Sequence, residues 1–191
     1  MNTNVLSRRA FIASATTTAL AAGCASRMNT AKVAPGKVSP NEKLNIAAIG
    51  AGGMGRANID ACNTENIVAF ADVDDARAGD TYQAYPNARR YRDFRKMLEA
   101  EAKNIDAVIV ATPDHTHAVA AIMAMRLGKH VYCQKPLAHS VHEVQTLMKT
   151  ARECKVQTQM GNQGHSSDSI RRLCEWIEDG AVGPIREVHA W

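Results

Sequence analysis

Gly50, Gly52 and Gly55 stand in a Gly-x-Gly-x-x-Gly spacing with Gly53 and Met54 inside it, and Asp72 follows 22 positions after the first glycine. These residue types at this spacing suit a dinucleotide. Gly50 makes the tight turn, Gly52 lets the backbone come within reach of a pyrophosphate, and Gly55 lets a helix pack close to a strand. The diphosphate would rest on unpaired helical N–H groups at the positive end of a helix dipole. A carboxylate at Asp72 would accept hydrogen bonds from the adenosine ribose and repel a 2′-phosphate, so the residues favour NAD over NADP.

A second set carries proton chemistry. Oxidising a secondary alcohol by hydride transfer needs a group that accepts or orients the hydroxyl proton. Lys135, in Gln134-Lys135-Pro136, is the candidate. Burial at a cleft and a neighbouring nicotinamide cation would both favour its neutral amine, and Gln134 places no negative charge beside it. The plainer alternative is an exposed lysine before a proline turn. In Thr112-Pro113-Asp114-His115-Thr116-His117, Thr112 and Pro113 are expected to line the cofactor cleft, with His117 packing or hydrogen-bonding beside them. His115 and His117 lack a convincing third ligand, so no metal is expected. His165 faces either the nicotinamide and substrate or solvent, and His139 and His142 are assigned to the surface.

The elements that position these residues are legible as alternating strands and helices. Leu44 to Ile49 is a short apolar run that empties into the glycine turn, and residues 57–62 can continue as a helix. Ile67 to Ala71 is a second strand ending at Asp72, and a polar, partly helical segment follows from Val73 to Pro86. Asp93 is a plausible N-cap for a helix carrying Phe94, Met97 and Leu98 on one face. Ile105 to Ala111, nearly continuous in apolar residues, suits a parallel sheet covered on both faces. A helix through Val119, Ile122 and Met123 to Leu127 stops at Gly128, and His130 to Cys133 is a further strand. Ser140-x-x-Glu143 is a capping box opening a helix with Val141, Val144, Leu147, Met148 and Ala151 inward. Val156 to Met160 closes the sheet, and Ile170, Leu173, Cys174 and Ile177 mark a last helix ended by Gly180.

Length and composition agree with this order. The chain has 191 residues, 46% hydrophobic and 22% charged, enough for one sizeable core. A net charge of +4 without an aromatic-interleaved basic stripe argues against nucleic acid. Setting Cys24 aside, Cys62, Cys133, Cys154 and Cys174 show no C-x-x-C and read as buried free thiols.

Residues 1–24 read as a leader. Ser7-Arg8-Arg9-Ala10-Phe11 precedes an apolar run to Ala22 that is too short to span a bilayer. It resembles a twin-arginine export signal, with Ala13 where lysine is often found, and implies the twin-arginine machinery as a partner and a periplasmic location. Leu20-Ala21-Ala22-Gly23-Cys24 resembles a lipoprotein cleavage box, which would make Cys24 a lipid anchor. Residues 25–43, without period and rich in Ala, Ser, Lys and Pro, read as a disordered linker.

From about Leu44 to Trp191 the chain resembles the glucose–fructose oxidoreductase and inositol dehydrogenase family, Gfo/Idh/MocA. The resemblance is carried by the glycine turn, Asp72, Ala111-Thr112-Pro113 with His117, Lys135-Pro136 after a strand, and Gly180-Ala181-Val182-Gly183-Pro184-Ile185. It implies an α/β fold with a Rossmann-type doubly wound parallel sheet over residues 44–180, and only the start of a second α+β substrate domain over 181–191. It places Lys135 and His165 at the reacting centre, and Gly50, Gly52, Gly53, Met54, Gly55, Asp72, Thr112, Pro113, His117, Gln134, Lys135 and Pro136 around the cofactor. The family usually has Glu-Lys-Pro where this chain has Gln134-Lys135-Pro136.

Three functional readings stay open on sequence. The first is an exported NAD-dependent oxidoreductase acting on a small carbohydrate, polyol or related hydroxylated compound. The second keeps the cofactor but uses transient sugar oxidation to eliminate or hydrolyse a glycoside with NAD regenerated. The third is a dinucleotide-binding domain without turnover.

Overall fold

A computed structural model describes residues 42–189. The leader, Cys24 and nearly all of the linker lie outside the described residues.

Six parallel strands form one sheet in the order β3-β2-β1-β4-β5-β6. They are β1 (Asn45–Ile49), β2 (Asn66–Ala71), β3 (Arg89–Tyr91), β4 (Ala107–Val110), β5 (His130–Gln134) and β6 (Thr158–Gly161). Helices alternate with them: α1 (Met54–Ala61), α2 (Asp75–Ala84), α3 (Phe94–Ala100), α4 (His117–Arg126), α5 (Val141–Cys154) and α6 (Asp168–Glu178). The order reverses direction between β1 and β4, the switch point at which ligands bind in sheets of this kind.

Strand alternation explains the two cores. Ala47 and Ile49 of β1, with Val108 and Val110 of β4, meet Met97, Leu98, Ala121 and Met125 from α3 and α4. Ile46 and Ala48, with Phe70 and Ile109, meet Ile59 of α1 and Ala78 and Tyr82 of α2 on the other face. Ala47 and Ala48 keep the middle of β1 small where helices press on both of its sides.

Several expected starts and stops are present. Asp93 caps α3 through its carboxylate, and Ser140 and Glu143 form the reciprocal capping box of α5; Asp74, not foreseen as a cap, starts α2 in the same way. Gly128 and Gly180 follow α4 and α6 at φ of 75° and 72°, which a Cβ would disfavour.

The structure also departs from the sequence reading. Strand β3 was not foreseen: its three residues include two exposed arginines, so it has no apolar signal. It is held through Glu101, buried beside α3, which pairs with Arg89 and accepts from the Tyr91 hydroxyl at 2.5 Å. In α5, Leu147 is buried with Val144 and Ala151 half-buried, but Val141 and Met148 are exposed. Val141 overhangs the first turn, and Met148 lies one residue round the helix from the buried line. Strand β6 is a sheet edge whose first three side chains are exposed. Helix α6 buries no residue, so Ile170, Leu173, Cys174 and Ile177 do not form the inward stripe expected of them. Residues 181–189 contain no strand. Of the four described cysteines only Cys133 is buried; Cys62 and Cys154 are half-buried and Cys174 is exposed. Burial pushes the Cys133 thiol up to about 12, making it inert at neutral pH.

Candidate functional site

The chain crosses from β1 to α1 through a turn that has no room for side chains. A Cβ on Gly50, whose φ is 88°, would lie 2.5 Å from the Ala111 carbonyl oxygen at the end of β4. One on Gly52 would lie 2.8 Å from the Arg77 carbonyl oxygen, and one on Gly55 would collide with the Gly50 carbonyl oxygen. The backbone is therefore drawn tight between β4 and α2. The helix that follows has no side-chain cap and no acid in its first turn. The N–H groups of Gly52, Gly53 and Met54 have no acceptor among the described residues. Three open donors at a helix start make an anion seat.

Asp72 stands at the tip of β2 beside this turn. Its Oδ2 accepts from the Ala51 N–H at 2.7 Å and its Oδ1 from the Asp74 N–H at 3.0 Å. Both bonds come from backbone, so the carboxylate is fixed in orientation. A cleft of about 480 Å³ runs from Gly50, Gly52 and Met54 past Asp72 to Thr112 and Pro113. Of the expected cofactor residues of this half, Gly50, Gly52, Met54, Asp72, Thr112 and Pro113 line this one space, and Gly53 and Gly55 do not.

Arg77 and Arg92 also line that cleft, and sequence reasoning did not single them out. Arg77 lies on α2 five positions after Asp72, and the Cγ of its stem packs against Gly52. Its guanidinium makes no hydrogen bond or ion pair among the described residues. Arg92 donates to the Val73 carbonyl at 2.8 Å. The available signal was the spacing Asp72-x-Asp74-x-x-Arg77, with an N-cap between the two ends.

The loops after β4 and β5 carry the remaining residues. His117 is 1% exposed, with Nε2 2.7 Å from the Thr112 carbonyl oxygen and Nδ1 2.7 Å from the Pro136 carbonyl oxygen. Its ring therefore holds two loops and offers no free nitrogen to a ligand. Gln134 is buried at 5% exposure against Gly161, where a Cβ would lie 2.8 Å from its amide. Its Nε2 has no partner among the described residues, and its Oε1 receives only a long 3.4 Å contact from the Lys135 N–H. Lys135 and Pro136 are exposed, so the expected burial of Lys135 is not seen, and its ammonium has no partner among the described residues. His165 is exposed on the 3-10 turn Gln163–Ser166, while His115, His139 and His142 are also exposed. Among the described residues no three His, Cys, Asp or Glu side chains converge as metal ligands.

A second trough of about 510 Å³, almost wholly apolar, opens on the sheet face between α1 and β6, beneath Gln163. It contains neither the glycine turn nor Asp72, which line the smaller cleft.

Comparison with known proteins agrees with this geometry. Residues 44–162, more than half of the chain, match the model of the GFO_IDH_MocA oxidoreductase family, described as an NAD-binding Rossmann fold. Levoglucosan dehydrogenase of Pseudarthrobacter phenanthrenivorans is 26% identical over 157 residues, covering 75% of this chain and 39% of that protein. Inositol 2-dehydrogenase 2 of Saccharopolyspora erythraea is 30% identical over 156 residues, covering 77% and 44%. The crystal structure of myo-inositol 2-dehydrogenase from Lactobacillus plantarum superposes with a TM-score of 0.66 at 26% identity, over 75% of this chain and 43% of that one. The chain spans about two fifths of the length of the relatives it matches. It belongs to the Gfo/Idh/MocA oxidoreductase family, by way of that family's NAD-binding Rossmann domain.

Proposed function

We propose that this chain is the cofactor-binding part of an NAD-dependent oxidoreductase that moves hydride between nicotinamide and a hydroxyl-bearing carbon of a sugar or polyol. The observation that carries this reading is the uncapped start of α1: the N–H groups of Gly52, Gly53 and Met54 have no acceptor among the described residues, and Gly52 and Met54 line a cleft that also holds an oriented Asp72. These residues fit the cofactor. The turn would hold the diphosphate and Asp72 the adenosine ribose hydroxyls. The nicotinamide supplies the hydride acceptor. Lys135, freely placed beyond β5, accepts or orients the hydroxyl proton of the substrate, and His165 beyond β6 stands at the same edge of the sheet. The substrate class is supported by the names of the relatives, which are dehydrogenases of inositol and of levoglucosan.

NAD is favoured over NADP because Asp72 places a negative charge where a 2′-phosphate would lie. Arg77 and Arg92 oppose that preference, so discrimination is expected to be modest. Export by the twin-arginine route, with Cys24 as a lipid anchor, remains part of this reading and rests on residues 7–24 alone.

The test is calorimetry of the full chain with NADH and with NADPH, beside Gly52→Val. Micromolar uptake of NADH, weaker uptake of NADPH and loss of both in the variant are expected. A folded chain that takes up neither, or a variant that binds as well as the parent, overturns the reading. Incubation with NAD and inositol or levoglucosan, followed by NADH absorbance, then tests the redox step.

A further inference from the structure

The two loops flanking the substrate edge are tied together by one side chain. The Thr112 loop is anchored to the glycine turn, since the Ala111 carbonyl and Thr112 N–H fill the space where Gly50 would carry a Cβ. His117 reaches from the first turn of α4 to the Thr112 carbonyl on one side and to the Pro136 carbonyl on the other, each at 2.7 Å. Pro136 directly follows Lys135. An unbroken path therefore runs from the anion seat through Thr112 and His117 to the lysine.

The chemistry of the two contacts is specific. Carbonyl oxygens only accept, so each ring nitrogen must donate for both bonds to form. A neutral imidazole has one N–H and one lone pair, and would set that lone pair against an oxygen at 2.7 Å. The ring that satisfies both contacts is the imidazolium. No carboxylate pairs with the ring among the described residues. Asp114 makes no ion pair, and Glu143 accepts the N–H groups of His139 and Ser140. What holds the ring is the pair of 2.7 Å contacts, which become charge-assisted hydrogen bonds when both nitrogens donate.

We propose that His117 is a positioning residue: with a hydrogen on each ring nitrogen, it clamps the loop after β4 to the loop after β5 and so sets the place of Lys135. This rests on the role given to Lys135 above. A neutral ring, or a ring of the same shape without donors, releases one or both loops.

The full chain labelled with ¹⁵N-histidine tests this directly. It has seven histidines, and His117→Gln identifies the resonance by its loss. Hydrogens on both ring nitrogens of His117 are expected; a hydrogen on one nitrogen only overturns the proposal. His117→Gly supplies a second arm, because added imidazole can refill the space. Imidazole, with two N–H groups when protonated, should restore the amide shifts of Lys135 and Leu137, whereas 1-methylimidazole, with one, should not. Equal rescue by both means the ring merely fills volume, and overturns the clamp. Should His117→Gly fail to fold, His117→Phe replaces it: shifted Lys135 and Leu137 amides and about ten-fold weaker NADH uptake support the clamp, and unchanged values refute it. If the parent chain binds no NADH, the functional reading fails while the proton count and the loop shifts still decide this one.

Discussion

The tips of β1 and β2 and the tips of β5 and β6 lie along the same edge of one sheet, yet they are built differently. At the first pair, backbone meets backbone: Gly50, Gly52 and Gly55 leave no space for a methyl group, and Asp72 is fixed by two N–H donors. At the second pair, the side chains of Lys135 and His165 are exposed and have no partners among the described residues, although Cys133 and Gln134 just before Lys135 are buried. The difference begins where the strands end. The geometry of the glycine turn is thus fixed by excluded volume within the domain, whereas that of Lys135 and His165, the proposed proton-handling residues, depends on how their loops are held.

Substitutions that fill the first tip should have the largest effect. Gly55→Val places its side chain on the Gly50 carbonyl, a collision with backbone that no rotamer change relieves. A loss of about 3 kcal/mol or more is expected, a large share of the ~5–15 kcal/mol typical of a domain. Thermal unfolding followed by circular dichroism measures it. A near-native melt would mean the turn is looser than its contacts indicate.

Asp72→Ala should come next. It removes the ribose acceptor and frees the Ala51 N–H, and hydrogen bonds to a charged group contribute about 1.5–3 kcal/mol. NADH affinity is expected to fall about ten- to hundred-fold. NADPH affinity should fall less, because Arg77 and Arg92 then face the cleft without an opposing charge. Fluorescence titration with each cofactor gives both numbers. Equal losses would remove the two arginines from the account of discrimination.

The first tip was the more legible of the two in the sequence because it is specified by absence. Three glycines at fixed offsets after an apolar run admit few structures, and Asp72 follows at the distance a strand–helix–strand unit imposes. Ser140-x-x-Glu143 and Asp93 were legible for a similar reason: caps act over three residues. What was missed depends on distant neighbours. Strand β3 exists because β2 offers it a ladder and Glu101 holds Arg89, neither of which leaves an apolar pattern in three residues. Arg77 joins the cleft only because α2 packs beside the glycine turn. Helix α6 has the apolar period of a packed helix, but period alone cannot say what it packs against. The two-sided bonding of His117 was likewise invisible, since Thr112 and Pro136 lie 5 and 19 positions from it on different loops.

Ser140→Ala tests the second half at a point of defined strength. The Ser140 hydroxyl accepts from the Glu143 N–H at 3.3 Å, while the Glu143 carboxylate accepts from Ser140 and His139. Removing the hydroxyl should cost about 1 kcal/mol, as for other N-caps, readable from urea unfolding at unchanged slope. A loss as large as that of Gly55→Val would make the start of α5 as rigidly specified as the glycine turn and erase the contrast.

Lys135→Ala should have the smallest effect on stability. The side chain is exposed and its ammonium has no partner among the described residues, so truncation removes neither a packed contact nor a hydrogen bond. A change within about 0.5 kcal/mol is expected in the same unfolding experiment. The comparison is sharpest here, because Lys135 directly precedes Pro136, whose carbonyl His117 holds. If the loop is held through its backbone, losing the lysine side chain leaves the fold as stable as before, and His117→Phe, which removes that hold, lowers stability more than Lys135→Ala does. The reverse order would place the anchoring contact on the lysine, and the proton-handling edge would then fix its own geometry as the glycine turn does.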